Sequence, residues 1–327
     1  MMKPLRRILL AGLAVMFPVA TAVAQENYPS KQVTIIVPFL AGGPTDVVAR
    51  LVGQHMERTL GQPILIENVG GAGGTTGMTR VAQSAPDGYT LGIGNAGTQS
   101  AAPALYPNLK YDPAASFDQL SILNHTPMAI VAKQGLAATT LADFVAYLKA
   151  NSTTATQGHA GVGSTSHMAG VVFNAQLGVK PALVAYRGTG PAMNDLVGGQ
   201  FDYMIDQSLN VIPQVKAGTI KGFAIAAPER LASLPDVPTT KEAGIDFLFS
   251  GWNAFVGPKG LPPAVRQKLV DATNKALDDP AIVARLAELG STPPKADERG
   301  PAGLQKLVES EVARLTPILK AAGITGN

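Results

Sequence analysis

Four stretches of the chain crowd glycine, hydroxyl and amide residues together: Phe39 to Asp46, Gly70 to Thr76, Asn95 to Ser100 and Gly161 to His167. Each follows a predicted strand, and the first, second and fourth run into residues with helical spacing. Turns of this kind, at the carboxyl ends of strands in an open α/β sheet, are where ligands sit. The first N–H groups of the helix that follows have no partner inside the helix, and the helix dipole places positive charge there. One such end contributes about 0.3 to 1 kcal/mol to a nearby anion. Several converging on one point hold a carboxylate without lysine or arginine, and these loops contain few cations.

Other chemistries fit less well. Gly71-Ala72-Gly73-Gly74-Thr75-Thr76-Gly77 resembles a phosphate loop, but Thr76 stands where a dinucleotide fingerprint needs its third glycine. The chain also lacks the Gly-Lys pair of a Walker loop. Ser164 and Ser166 beside His167, with Asp206 further along, suggest hydrolysis, yet no serine lies in a G-x-S-x-G elbow. Ser and His three apart at a helix start more commonly form a cap and a polar contact. His55, His125, His159 and His167 show no metal-ligand spacing and the chain has no cysteine, so no metal or cofactor is expected. Asp46 and Arg50, four apart with the acid first, form a helix-stabilising pair and could also fix the first loop.

These loops need a scaffold, and the pattern supplies one. Val33 to Val37, Gly42-Gly43 and the helical series Val47 to Met56 read as strand, turn and helix. Ile64 to Ile66 with the helix through Met78 and Val81, and then Tyr89 to Ile93, repeat the unit. Such alternation predicts a parallel sheet with helices on both faces. From about Ser121 it begins again, with strand Ala129 to Val131, a capping box at Thr140 and Asp143, strands at Ala155 to Ala160 and Leu183 to Tyr186, and alternation at Phe201 to Asp206. Gly190-Pro191 opens a helix between these last two. Trp252 is expected to pack in the core or at the rim of the cleft.

Before all this, Lys3, Arg6 and Arg7 precede an apolar run ending Ala22-Val23-Ala24, the pattern of a secretory leader cleaved after Ala24. About 300 residues remain, enough for two lobes. The formal charge of +3 includes those three cations, so the rest is close to neutral and carries no footprint of a nucleic-acid binder. The division expected is 1–24 leader, 25–125 first lobe, 126–227 second lobe and 228–327 first lobe again, with crossings near 124 to 128 and 226 to 228.

Ile36-Val37-Pro38-Phe39 with Ala41-Gly42-Gly43, Asn68 with Gly71 to Gly74, and Pro86-Asp87-Gly88-Tyr89-Thr90-Leu91 together resemble the Bug-type receptors, the extracytoplasmic solute-binding proteins of tripartite tricarboxylate transporters. Tyr186-Arg187-Gly188, Asp206-Gln207 and Leu234 to Thr239 with Glu242-Ala243-Gly244 continue the likeness in order along nearly the whole chain after the leader. The resemblance implies an α/β, two-lobed periplasmic-binding-protein fold of type II, closing on one carboxylated solute. It also implies a monomer in the periplasm that serves two integral membrane subunits. Carried onto this sequence, it points to Phe39, Gly43, Thr45, Gly73, Gly74, Thr75 and Asn95 in the first lobe. In the second it points to Ser164, Thr165, Ser166 and His167, with Tyr186 and Asp206 as side walls. An acid such as Asp206 repels a second carboxylate unless protonated or paired, and attracts an amino group; its alternative role is to cap the loop after its strand. A sensory receptor is the rival reading and a secreted serine hydrolase a more distant one.

Overall fold

A computed structural model describes residues 28–321 and 326. The leader and its cleavage point at Ala24 lie outside the described residues. No helix among the described residues is long and apolar enough to cross a membrane. The strands are β1 (Val33–Val37), β2 (Ile64–Asn68), β3 (Thr90–Asn95), β4 (Phe117–Lys133), β5 (Thr156–His159), β6 (Ala182–Ala185), β7 (Tyr203–Gln207), β8 (Ile220–Ile225) and β9 (Ser250–Pro258). The helices are α1 (Pro44–Leu60), α2 (Thr75–Ala82), α3 (Ala102–Leu105), α4 (Leu141–Ala150), α5 (Thr165–Leu177), α6 (Thr189–Val197), α7 (Ser208–Lys216), α8 (Pro263–Asp278), α9 (Pro280–Glu288) and α10 (Gly300–Ala321).

In the first lobe β1 is β-branched at all five of its positions and lies between β2 and β3, parallel to both. Helix α1 starts at Pro44, where a missing N–H costs nothing, and stops at Gly61, whose φ of 70° ends it cheaply. Its buried residues Val48, Val52 and Met56 pack with Ile35 and with Leu269 of α8. Leu304, Val308 and Leu315 of α10 form a second core with Leu105 and Trp252, so the C-terminal helices belong to this lobe. Trp252 is buried there, as expected.

The expected parallel sheet is corrected: the sheet is mixed. β9 lies antiparallel between β3 and β4. Its partners are far away in sequence, and spacing within a segment does not encode which distant strand it joins. β4 is shared between the lobes. Its residues Phe117 to Pro127 pair with β9, and Met128 to Lys133 pair with β7 and β8. The partner strand thus changes at Pro127, and the Met128 N–H donates to Phe249 O at 3.0 Å.

In the second lobe β5 lies parallel between β6 and β7. The expected capping box is formed: the Thr140 hydroxyl accepts from the Asp143 N–H at 3.1 Å, and Asp143 accepts from the Thr140 N–H at 3.0 Å. After β8 the chain stays with this lobe, because Leu234 and Val237 pack with Val131 and Ile225, and Phe247 packs edge-on to Phe173. We propose to draw the second crossing at Phe249 to Gly251, later than 226 to 228. One lobe is then 28–127 with 250–321 and the other 128–249.

Candidate functional site

A cavity lies between the lobes. Phe39, Gly43, Pro44, Thr45, Asp46 and Asn95 line it from the first lobe, and Ala160, Ser164, Thr165, Ser166, Thr189, Asp206 and Gln207 from the second. Gly43, Ser164 and Gln207 are the N-caps of α1, α5 and α7, and Thr189 is the first residue of α6. Four helix starts therefore border one space. The first-turn N–H groups of Thr45, Asp46, Thr165 and Ser166 have no intrahelical acceptor.

The first-lobe wall is fixed by Asp46. Its carboxylate accepts from the Gly42 N–H at 3.0 Å, Asn68 Nδ2 at 2.9 Å and Arg50 Nε at 3.0 Å, and Asn68 also donates to Phe39 O at 3.0 Å. Burial pushes the acid's pKa up, but these donors and the Arg50 charge outweigh it and hold the carboxyl below its ordinary value. The pair expected from the spacing thus stabilises the helix and shapes the loop. Thr45 donates to Asn253 Oδ1 at 2.9 Å, and Asn253 donates to Asn124 Oδ1 at 3.0 Å, linking this wall to β9 and β4. Asn95 and Thr98 exchange hydrogen bonds, the Asn95 N–H donating to the hydroxyl at 3.0 Å and the Thr98 N–H to Asn95 Oδ1 at 3.1 Å.

In the second lobe, Ser164 Oγ accepts from the His167 N–H at 3.3 Å and Ser166 Oγ accepts from the Ala160 N–H at 3.0 Å. His167 does not line the cavity. It packs 4.6 Å from His159 behind the helix start, and Nδ1 of each ring accepts a turn N–H, Gly163 at 3.2 Å and Gly161 at 3.1 Å. Burial pushes the His159 pKa down to about 4 and His167 to about 3, the latter aided by its neighbour. Both rings are uncharged at neutral pH, and the Nδ1 atoms are spent on the turn rather than directed at a serine. Among the described residues no group of three or more His, Cys, Asp or Glu could hold a metal ion.

Asp206, 1% exposed, accepts from Asn210 Nδ2 at 2.6 Å. Burial pushes its pKa up to about 6, against the pull of Asn210, the Gln207 N–H and the Thr189 hydroxyl. Thr165 Oγ1 and Gln207 Oε1 are buried in the same wall with no hydrogen-bond partner among the described residues. Among the described residues no lysine or arginine lines the cavity.

The remaining residues expected at the site lie elsewhere. Gly73 sits where a β-carbon would overlap the Val162 carbonyl of the other lobe, and Gly74 packs against the Phe39 ring. Thr75 lines a separate recess with Tyr106, and the Tyr186 hydroxyl donates to Asp195 at 2.7 Å. The Gly70 to Thr76 turn is thus a surface on which the lobes meet. Two hydrogen bonds cross with it, Leu40 N–H to Arg187 O at 2.9 Å and Tyr106 hydroxyl to Val162 O at 2.8 Å. A Tyr106→Phe chain should bind ligand about 2- to 12-fold more weakly, the loss of about 0.5 to 1.5 kcal/mol for one hydrogen bond, as titration calorimetry would read. Sequence reasoning missed Pro44, Ala160, Thr189 and Gln207 as lining residues. Thr189 was within reach, since Gly190-Pro191 announces a helix start, but nothing local aims that start at the cleft.

Residues 48–324 match the family model described as tripartite tricarboxylate transporter family receptor. A protein from the TAR-I ttuE-ttuC' intergenic region of Agrobacterium vitis is 46% identical over 92% of this chain and 87% of its own length. The structure of MatC from Rhodopseudomonas palustris with bound malate is 42% identical and superposes with a TM-score of 0.86, covering 89% of this chain and 100% of that one. The periplasmic binding protein BugD is 38% identical with a TM-score of 0.88, over 92% and 100%. The two-lobed α/β fold is that of the periplasmic solute-binding proteins, and the chain belongs to the receptor family of the tripartite tricarboxylate transporters.

Proposed function

We propose that the chain captures a small organic carboxylate between its lobes in the periplasm and hands it to two integral membrane subunits. It acts as a monomer, with its leader removed after Ala24, and catalyses no reaction on the solute. The observation that carries this reading is the convergence of four helix starts on one cavity that, among the described residues, no lysine or arginine lines. Together such ends contribute about 1 to 4 kcal/mol to an anion before any hydrogen bond is counted. The orphaned Thr165 hydroxyl and Gln207 amide oxygen add polar groups that want a partner. MatC, built on the same fold, holds malate.

Titration calorimetry of the chain without its leader, against mono- and dicarboxylates, sugars and divalent metals, tests the proposal. Acids are expected to bind with a Kd in the micromolar range, about −8 kcal/mol, and sugars and metals not at all. Binding of a sugar or a metal with none of the acids would overturn it.

A further inference from the structure

We infer that the solute is a dicarboxylate that enters with one proton, shared in the closed cavity between Asp206 and the ligand's second carboxylate. This rests on the carboxylate reading above and names the class of solute and its coupling to pH.

The first carboxylate of a short diacid is served by the amides at the starts of α1 and α5. The second has no lysine or arginine to meet among the described residues that line the cavity. What the second lobe presents instead is Asp206, at the end of β7. Among the described residues no lysine or arginine stands in its wall of the cavity. Asn210 of α7 and Thr189 of α6 donate to it, Ala129 lies opposite it on β4, and Ala160, just after β5, with Thr165 and Ser166 of α5 closes the wall. The titratable groups packed around this wall are His159 and His167, both held uncharged by burial, and Asp46 across the cleft, ionised and occupied by Arg50. Two ionised carboxylates cannot share such a place. One proton taken from water converts the repulsion into a charge-assisted O–H···O hydrogen bond. The buried position makes this protonation cheap, since the free acid already titrates at about 6.

The sign follows from linkage. The pKa of Asp206 is higher in the complex than in the free chain, so affinity is full below about pH 6 and falls as pH rises through and above that value. Well above it the fall is about tenfold per pH unit, until the value in the complex is reached.

The experiment is titration calorimetry with malate on the chain without its leader, at pH 7.5 in buffers of different ionisation enthalpy, and then from pH 7 to pH 9. Close to one proton taken up per malate, with a Kd that rises about tenfold per pH unit, is the expected result. Asp206→Asn, whose amide donates without a proton, is expected to bind malate with no uptake and a flat pH profile. Should that variant fail to fold, the proton count of the unmodified chain decides. Tight malate binding without proton uptake overturns the inference and leaves carboxylate capture standing. Tight binding of an amino acid with weak binding of malate overturns it in favour of an ionised Asp206 that meets an ammonium group. Failure of every acid to bind removes both the inference and the reading beneath it.

Discussion

A Gly190→Ala chain is expected to bind its carboxylate about ten to a hundred times more weakly than the unmodified protein, while melting without ligand at the same temperature or slightly above. Gly190 is the second residue of α6, with ordinary helical backbone, so alanine brings no strain and is a better helix former. Its β-carbon, however, would overlap the Ala41 carbonyl of the opposite lobe and lie 3.1 Å from Gly43 N. If ligand capture closes the two lobes, as proposed above, that overlap exists only when the lobes are shut. Overpacking of this kind costs about 1 to 3 kcal/mol, and it falls on the closed, liganded state alone. Calorimetry for affinity and a thermal melt for stability separate the two effects. Gly135→Ala, where an added β-carbon meets nothing within 4 Å, serves as the control and should leave affinity unchanged. An unaltered affinity in Gly190→Ala would mean that ligand binding does not need the lobes to meet in this way.

The second large effect is one of charge. Ser164 caps α5, and aspartate caps a helix as well as serine does. Ser164→Asp should therefore fold normally, yet it places a carboxylate on the wall against which the ligand's carboxylate rests. At a separation of about 5 Å and an effective dielectric constant near 20, the repulsion is about 3 kcal/mol, a loss of about a hundredfold in affinity. Ser164→Asn caps equally without the charge and should stay within a few-fold of the unmodified chain. Equal affinities for the aspartate and asparagine variants would show that the anion is not held at the start of α5.

Much of this architecture was legible because local pattern and local structure share a cause. Asp46 and Arg50 lie four residues apart and meet at 2.9 Å; Thr140 and Asp143 form the capping box that their spacing announces. The glycine turn at Gly42-Gly43 leads into α1 as its composition requires. What spacing did not contain was the choice between distant partners. β9 reads as a strand, but its place between β3 and β4 is decided by burial of Phe255 and Val256 between two halves of the first lobe's core.

The Gly70 to Thr76 turn shows the same limit at the level of the site. Glycine permits close approach of another group to the backbone, whether that group is an anion or the Val162 carbonyl of the facing lobe. The sequence signals closeness and leaves the visitor unnamed. For His167, the resemblance implied a place at the site with Ser164, Thr165 and Ser166. Burial and the demand of the Gly163 N–H for an acceptor turned it inward.

A crystal structure of the chain soaked or grown with malate tests the central claim most directly. The account predicts one carboxylate within about 2.7 to 3.2 Å of first-turn amides of α1 or α5, directly or through a single ordered water, and the other beside Asp206. Malate seated outside the space between Gly43 and Ser164, or held there by a lysine or arginine side chain, would contradict it.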